Sequence, residues 1–226
     1  MKGRRRPIWY RNKRLRVACI LSLILVLGAL GTAIFIKYGR VESGANKAMQ
    51  EDTKGRVKDM LLEHNIYSRP GIELKHVKAV VIHYTANPGT TAEANRNYFN
   101  RLPELNARRE KPVYASSHYI VGLEGEIIRC IPETEISYAS NGRNGDTLSI
   151  ECCHPKRNGK FTKETYDSLV WLTSLICWNY NLEEENIIRH YDITGKNCPK
   201  YFVENEHAWQ QFKDDVMELK RKYIER

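Results

Sequence analysis

Two apolar segments near the start of the chain predict different kinds of element. Residues 17–36, VACILSLILVLGALGTAIFI, carry no charge, and residues 77–84, VKAVVIHY, form a short β-branched run between turn signals. A helix rises about 1.5 Å per residue, so a helix over residues 17–36 is long enough to cross a hydrocarbon core of roughly 30 Å. The first run therefore predicts a transmembrane helix, and the second predicts a buried strand.

A cleaved signal peptide is the alternative interpretation of residues 17–36. Signal peptides have an apolar region of about 7–15 residues that ends at a small-residue cleavage site. The present run is longer and continues through Ile34, Phe35 and Ile36, so we expect an uncleaved anchor. Residues 1–16 are rich in Lys and Arg and contain no acid, which predicts a cytoplasmic N-terminus and an extracellular body on a single-pass membrane protein.

Periodic patterns after residue 84 predict the remaining elements. They predict a helix at 91–102, with Thr91 as N-cap and with Ala94, Tyr98 and Leu102 spaced by four. A second helix is predicted at 163–180, with Thr162 as N-cap. A third, C-terminal helix is predicted from the aligned apolar positions Trp209, Phe212, Val216, Leu219 and Tyr223. The patterns also predict a hairpin from 116–121 and 126–131, and strands at 146–153 and 186–189. This order predicts an α/β domain with a mixed central β-sheet flanked by helices.

The distribution of charge separates the tail from the body. The chain has 36 Lys and Arg against 27 acidic residues and a net charge of +9, a balance that often indicates nucleic-acid binding. Eight of the basic residues lie in residues 1–16, so the rest of the chain is nearly neutral and no nucleic-acid partner is expected. The polar segment 37–55 predicts a linker, and residues 56–226 are long enough for one domain with its own core.

The cysteines outside the predicted span are odd in number, so at least one has no disulfide partner. Cys152 and Cys153 are adjacent and point to opposite faces of a strand, which makes them poor partners for each other. One bridge, for example from Cys130, fits the composition, and the sequence does not assign it. Cys177, at an apolar helix position, is expected to be a small buried hydrophobic residue.

Three residues with metal-ligand chemistry are far apart along the chain. His83 and His190 each end an apolar strand, and Cys198 follows His190 in a loop containing Gly195. If the two strands are neighbours, two imidazoles and a thiolate meet, a donor set that suits Zn²⁺ and leaves a fourth position for water. Spacing alone favours the simpler interpretation, two core histidines and a buried thiol.

Four motifs carry a resemblance to a known family. The stretches VVIHYTANPGTTAEANRNYF, ASSHYIVGLEGEIIRCIPE, DTLSIECC and RHYDITGKNCP resemble, in this order, those of the zinc-dependent N-acetylmuramoyl-L-alanine amidases, the type 2 amidase family, which shares its fold with peptidoglycan recognition proteins. The resemblance covers roughly residues 66–215. It implies a peptidoglycan substrate, Zn²⁺ ligands at His83, His190 and Cys198, a catalytic glutamate at Glu151, and Lys196 beside the metal.

These residue types fit amide hydrolysis. A carboxylate such as Glu151 can take the proton of an attacking water and pass it to the departing amine, and Lys196 can stabilise charge on the carbonyl oxygen. On pattern alone, both could instead be ordinary surface residues. Because His118, His154 and His207 match no ligand position, we expect packing or hydrogen bonding at His118 and loop or surface positions for the other two.

The chain departs from its relatives at two places. Ser117 stands where some phage members carry a catalytic tyrosine, and Ser137-Tyr138 replaces a common tryptophan-histidine pair. These departures favour the glutamate-based mechanism and leave substrate contacts around Tyr138, Ala139 and Asn141 unassigned. The alternative function is a module of the same fold that binds muropeptides without cutting them, although Cys198, often lost from such modules, is present. The sequence assigns no oligomeric state.

Overall fold

A computed structural model describes residues 55–224 of the 226-residue chain. The predicted cytoplasmic tail, the predicted span 17–36 and nearly all of the predicted linker lie outside these residues. Between residues 55 and 224, no helix is long and apolar enough to cross a bilayer. Residues 55–223 belong to a single compact unit.

A six-stranded mixed sheet forms the centre of this unit. The strands are β1 (Val57–Asp59), β2 (Ala79–Tyr84), β3 (Tyr119–Val121), β4 (Ile127–Arg129), β5 (Thr147–Cys152) and β6 (Ile187–Arg189). Their order across the sheet is β1-β4-β3-β5-β2-β6. The β3–β4 hairpin is antiparallel, and the other neighbouring pairs are parallel.

Helices cover both faces of the sheet. They are α1 (Ala92–Asn100), α2 (Leu102–Asn106), α3 (Lys163–Asn179), α4 (His190–Thr194), α5 (Lys200–Glu204) and α6 (Glu206–Ile224), with 3-10 turns at Asn141–Arg143 and Glu184–Asn186. Side chains of α3 and α6 pack with Val80, Ile82, Leu148 and Ile150 in the larger core cluster. A smaller cluster joins Ala92 and Phe99 of α1 to Ile120 and Ile128 of the hairpin, because successive strand residues face opposite sides.

The predicted fold class is confirmed: this is a mixed sheet flanked by helices. The two predicted N-caps also lie where expected, since the Thr91 and Thr162 hydroxyls accept hydrogen bonds from the backbone N–H groups of Ala94 and Thr165. The hairpin strands are shorter than predicted, at three residues each.

Of the three positions that were predicted at spacings of four in the helix at 91–102, only Leu102 is buried, and it lies in α2. Ala94 and Tyr98 are exposed, and α1 buries Ala92 and Phe99 instead. Phe99 is the larger apolar side chain to place beneath the hairpin, whereas Tyr98 keeps its polar hydroxyl in water when it faces outward.

Candidate metal and catalytic site

His83 and Glu151 lie side by side on the two central strands. β2 and β5 are parallel, and their register pairs His83 with Glu151. Both side chains are on the face opposite Ile82 and Ile150, whose side chains enter the larger core cluster. Because parallel strands bring their carboxyl ends to the same edge, an imidazole and a carboxylate meet beside the end of the sheet, where open α/β folds bind ligands.

His190 and Cys198 come from one folded loop. His190 is the first residue of α4 and follows β6, which pairs with β2. The loop then turns at Gly195, where φ is 74° and a side chain would be strained. The backbone N–H of Tyr191 donates to the Cys198 carbonyl oxygen at 2.9 Å, so the loop closes and returns Cys198 to His190.

These three side chains converge although they are remote in sequence. Ligand atoms of His83, His190 and Cys198 all lie within 4.8 Å of one another. The His83 Nδ1 atom is 3.8 Å from the Cys198 sulfur, and the two imidazole ring centroids are 4.7 Å apart. All three residues are buried. Two core histidines and a buried thiol would not need to lie together. The three side chains do lie together, which favours the metal-site interpretation.

The hydrogen bonds of the two imidazoles leave nitrogen atoms free for an ion. His190 Nε2 donates to the Asn141 side-chain oxygen at 2.8 Å, so its Nδ1 atom carries the free lone pair. His83 Nε2 is buried and lacks a hydrogen-bond partner among the described residues. The His83 Nδ1 atom contacts the Cys198 sulfur, so this contact joins two of the candidate ligands. Two imidazoles and one thiol form a donor set that fits Zn²⁺.

Burial sets the protonation of the three candidate ligands. It lowers the pKa of His83 well below its ordinary value, and the neighbouring His190 and Lys196 lower it further. Burial and Lys196 also lower the pKa of His190. Burial raises the pKa of the Cys198 thiol to about 12. Both imidazoles are therefore neutral and able to coordinate, while the thiol gives up its proton only to a strong Lewis acid such as a metal ion.

The Glu151 carboxyl group is held ready to exchange a proton. Its Oε2 atom is buried and has no hydrogen-bond partner among the described residues. Burial raises the pKa of Glu151 to about 7, and the positive charge of Lys196 opposes this rise. A carboxyl group that exchanges its proton near neutral pH is suited to general acid–base chemistry.

Lys196 is exposed, yet its charge acts on every other member of the site. It contributes to the pKa shifts of His83, Glu151, His190 and Cys198. No ion pair joins its ammonium group to an acidic side chain among residues 55–223. It therefore places an uncompensated cation at the mouth of the site.

An open cleft of about 380 Å³ gives access to these groups. Its lining combines the five predicted site residues with aromatic and small polar side chains, namely His83, Tyr84, Phe99, Tyr114, Ala115, Ser116, Tyr138, Ala139, Asn141, Asn144, Glu151, His190, Lys196 and Cys198. The structure thus brings together all five residues that the sequence singled out. Their chemical roles stay predictions.

Sequence reasoning missed several cleft residues. Phe99, Tyr114 and Asn144 line the cleft without belonging to any recognised chemical pattern. Asn141, left without a role, contacts His190. A signal was present at Tyr114, an aromatic residue in the loop before the hairpin, but a lone exposed aromatic side chain is common on protein surfaces.

The residues outside the candidate site behave largely as expected. His118 is buried, accepts a hydrogen bond at Nδ1 from the Ser149 backbone N–H and donates from Nε2 to the Glu135 carbonyl oxygen. His207 is exposed, whereas the loop residue His154 is buried beside Tyr84. Ser117 is buried and donates to the backbone oxygens of Tyr119 and Ser149, so it does not stand in for a catalytic tyrosine.

The cysteines of the described unit form no disulfide. Cys130, Cys152, Cys153, Cys177 and Cys198 are all free and buried. The bridge that the composition allowed is therefore absent between residues 55 and 223, and Cys177 packs as a small apolar side chain as predicted.

Comparison with known proteins gives the same family throughout. A family model described as N-acetylmuramoyl-L-alanine amidase matches residues 73–201. A probable N-acetylmuramoyl-L-alanine amidase of Bacillus licheniformis is 34% identical over 167 residues, which are 69% of this chain and 45% of that protein. The N-acetylmuramoyl-L-alanine amidase BlyA of Bacillus subtilis (strain 168) is 35% identical over 173 residues, 67% of this chain and 44% of its own. The chain thus spans a little under half the length of these relatives.

Solved structures share the fold of the described unit. A mutant endolysin from Bacillus subtilis superposes with a TM-score of 0.58 and 25% identity, covering 71% of this chain and 97% of its own. The catalytic domain of XlyA gives a TM-score of 0.57 at 23% identity, which shows the fold alone. Since the family model covers more than half of the 226 residues, the chain belongs to the N-acetylmuramoyl-L-alanine amidase family.

Proposed function

We propose that this protein is a zinc-dependent N-acetylmuramoyl-L-alanine amidase that hydrolyses the amide bond between N-acetylmuramic acid and L-alanine in peptidoglycan. The observation that carries the proposal is the meeting of His83, His190 and Cys198 beside Glu151, in a cleft open to solvent. The names of the relatives support the choice of bond.

The three buried donors would hold Zn²⁺, with Asn141 fixing the ring of His190. Zn²⁺ supplies Lewis acidity, because it polarises an amide carbonyl and makes a water molecule more acidic. A donor set of three protein ligands leaves one coordination position available, which is typical of catalytic rather than structural zinc.

Glu151 would act as the general base and then as the general acid of the reaction. It accepts a proton from the attacking water and then delivers one to the amine nitrogen that leaves with L-alanine. The water oxygen remains on the lactyl carbonyl carbon, so the products are a carboxylate on the sugar and a free amino group on the peptide. Lys196 stabilises the negative charge that develops on the carbonyl oxygen.

The experiment uses the full chain in detergent with purified cell-wall peptidoglycan. Mass spectrometry of the products should show stem peptides with a free L-alanine amino group, a chelator should abolish their release, and added Zn²⁺ should restore it. Glu151→Gln should lower the rate by about a hundredfold to ten-thousandfold with unchanged zinc content. Glu93→Gln, an exposed helix position outside the cleft, is the matched control and should retain full activity.

Metal content tests the ligand set separately from catalysis. Cys198→Ala should lose zinc, and Cys177→Ala, which also removes a buried thiol, should keep it. Full activity in a zinc-free preparation, or in Glu151→Gln, contradicts the proposed mechanism. Binding of peptidoglycan without any cleavage would instead establish the alternative function, a muropeptide-binding module.

We also propose that residues 17–36 anchor the enzyme in the membrane with residues 1–16 in the cytoplasm. The support is the length of the uncharged run and the basic segment before it. In this arrangement residues 37–55 link the anchor to an extracellular catalytic domain. Tethering would keep the enzyme at a high effective concentration near the wall.

A further inference from the structure

Three tyrosine rings form a continuous surface that begins inside the cleft and leaves it. Tyr138 and Tyr114 both line the cleft, and their ring centroids are 5.7 Å apart in an edge-to-face arrangement. Tyr67 continues the row, with its ring 5.4 Å from that of Tyr114. We call Tyr67, Tyr114 and Tyr138 the tyrosine wall.

The wall offers aromatic area to solvent. The central ring, Tyr114, is 51% exposed, and Tyr67 and Tyr138 are half-buried. The hydroxyls of Tyr119, Tyr166 and Tyr180 donate to carboxylates, whereas none of the three wall hydroxyls has a protein partner in the described part of the chain. The wall therefore presents exposed aromatic surface, most of all on Tyr114, together with hydroxyl groups that can bond to a ligand.

Backbone hydrogen bonds align the three segments that carry the rings. The Ala115 N–H donates to the Tyr67 carbonyl oxygen at 3.1 Å, and the Ser116 N–H donates to the Tyr138 carbonyl oxygen at 3.1 Å. The Tyr138 N–H donates in return to the Ser116 hydroxyl at 2.9 Å. The rings consequently stand on three adjacent segments whose relative positions are fixed.

Side chains lock the outer segments in place. Arg69 forms a two-pronged ion pair with Glu135, at 2.9 and 2.6 Å, which joins the segment of Tyr67 to that of Tyr138. Asn65 accepts hydrogen bonds from the backbone N–H groups of Tyr67 and Ser68. Asn106 exchanges two hydrogen bonds with the backbone of Val113, next to Tyr114. A surface fixed before binding loses little conformational entropy when a ligand arrives.

We propose that the tyrosine wall is a glycan subsite, which binds sugar rings of the peptidoglycan strand beyond the sugar whose amide is cut. The proposal rests on the proposed function for the identity of the polymer. Pyranose rings present C–H faces that stack on aromatic rings and hydroxyl groups that hydrogen-bond to tyrosine hydroxyls. Tyrosine supplies both kinds of contact from one rigid side chain.

The charges of the cleft favour glycan over stem peptide at the wall. Stem peptides carry carboxylates, which need a cation. The cation that lines the cleft is Lys196, in the loop that carries His190 and Cys198. The cleft residues at the wall, Tyr114, Ala115, Ser116, Tyr138 and Ala139, carry no charge. The uncharged faces of the sugar rings therefore suit the wall, and the carboxylates of the stem peptide suit the side of the cleft that carries Lys196.

The direct test measures binding of the full chain to peptide-free glycan strands, which lack the amide between the lactyl group and L-alanine. We expect Tyr114→Ala to weaken this binding by about tenfold, the loss that removal of one aromatic anchor commonly produces. Tyr114→Phe keeps the ring and should stay within about twofold of the parent. Tyr98→Ala, which removes an exposed tyrosine outside the cleft, is the matched control and should bind like the parent.

A second measurement separates the subsite from the reacting centre. Tyr114→Ala should lower kcat/KM on polymeric peptidoglycan through KM, with kcat on the short substrate muramyl dipeptide unchanged. An equal loss on both substrates overturns the proposal, because the ring would then act at the scissile bond or on the fold. Parent-like glycan binding by Tyr114→Ala overturns it as well. Tyrosine-dependent glycan binding by a chain that cleaves neither substrate would refute the amidase function and leave the subsite standing.

Discussion

At the scale of single residues, enclosure decides the chemistry of the titratable side chains. Glu151 and His118 are both enclosed, yet burial raises the pKa of the carboxyl group to about 7 and lowers that of the imidazole to about 4. In each case burial favours the neutral form. Glu151 opens to the cleft and can exchange its proton, whereas His118 is held by Ser149 and Glu135 and serves the fold.

His118 predicts a specific dependence of stability on pH. Its folded pKa of about 4 lies below the ordinary value of 6.5, so the unfolded chain takes up a proton between these values and the folded chain does not. The contribution of His118 to the free energy of unfolding is therefore fully present above pH 6.5. It decreases as the pH falls towards 4, by about 3 kcal/mol in total.

Denaturant unfolding of the full chain at pH 7.5 and 4.5 should therefore show a smaller loss of stability in His118→Gln than in the parent. Comparison with the parent removes the contributions of the other buried histidines. The exposed His207 provides the control, since His207→Gln should lose as much stability as the parent. An identical loss in His118→Gln would show that this imidazole is not the group responsible.

At the scale of elements, helix starts fix how the helices meet the sheet. The Thr162 hydroxyl caps α3 by accepting from the Thr165 N–H at 3.0 Å and also donates to the Leu123 carbonyl oxygen at 2.8 Å. The Thr91 hydroxyl caps α1 through a single bond to the Ala94 N–H at 3.1 Å. The first cap thus joins α3 to the β3–β4 hairpin, and the second acts within its own helix.

This difference predicts unequal costs for two matched substitutions. Thr91→Ala should lower the free energy of unfolding by about 1 kcal/mol, the usual value of an N-cap. Thr162→Ala should cost about 2 kcal/mol, because it also leaves the Leu123 carbonyl without this donor. Equilibrium unfolding in urea measures both, and equal costs would mean that the bond to the hairpin contributes nothing.

At the scale of the whole molecule, charge and hydropathy distinguish the N-terminal part of the sequence from the rest. The excess of basic residues lies before the uncharged run 17–36, and the remainder is nearly balanced. The described unit buries its apolar side chains in two clusters, one on each face of the sheet. The proposed attachment to the membrane therefore falls to residues 1–54, and the candidate site lies in the described unit.

The proposed anchor predicts how the full chain behaves in cells. It should sediment with membranes and resist extraction at alkaline pH, and residues 56–226 should be degraded by protease added outside intact wall-free cells. Two arginines placed in the span, Ile24→Arg and Val26→Arg, should release the protein from the membrane, because each charge costs about 3 kcal/mol at the bilayer centre. Extraction of the parent at alkaline pH would contradict an integral span.

The sequence by itself determined the class of the fold, most of its elements and the identity of the candidate chemistry. Apolar periodicity located β2, α3 and α6, and hydroxyl residues marked two helix starts, because these signals depend on neighbours along the chain. The resemblance of four motifs selected His83, Glu151, His190, Lys196 and Cys198 without knowledge of their positions in space.

Only the tertiary structure decided which residues remote in sequence contact one another. The register of β2 with β5 placed Glu151 beside His83, and the pairing of β2 with β6 brought in His190 and Cys198. Asn141 joined His190, and three tyrosines from separate segments formed one surface. These contacts link residues far apart in sequence, so they depend on sheet order and burial, which local periodicity does not specify. For the same physical reason α1 buries Phe99 rather than Tyr98, because the position of the sheet beneath the helix determines which face of the helix is covered.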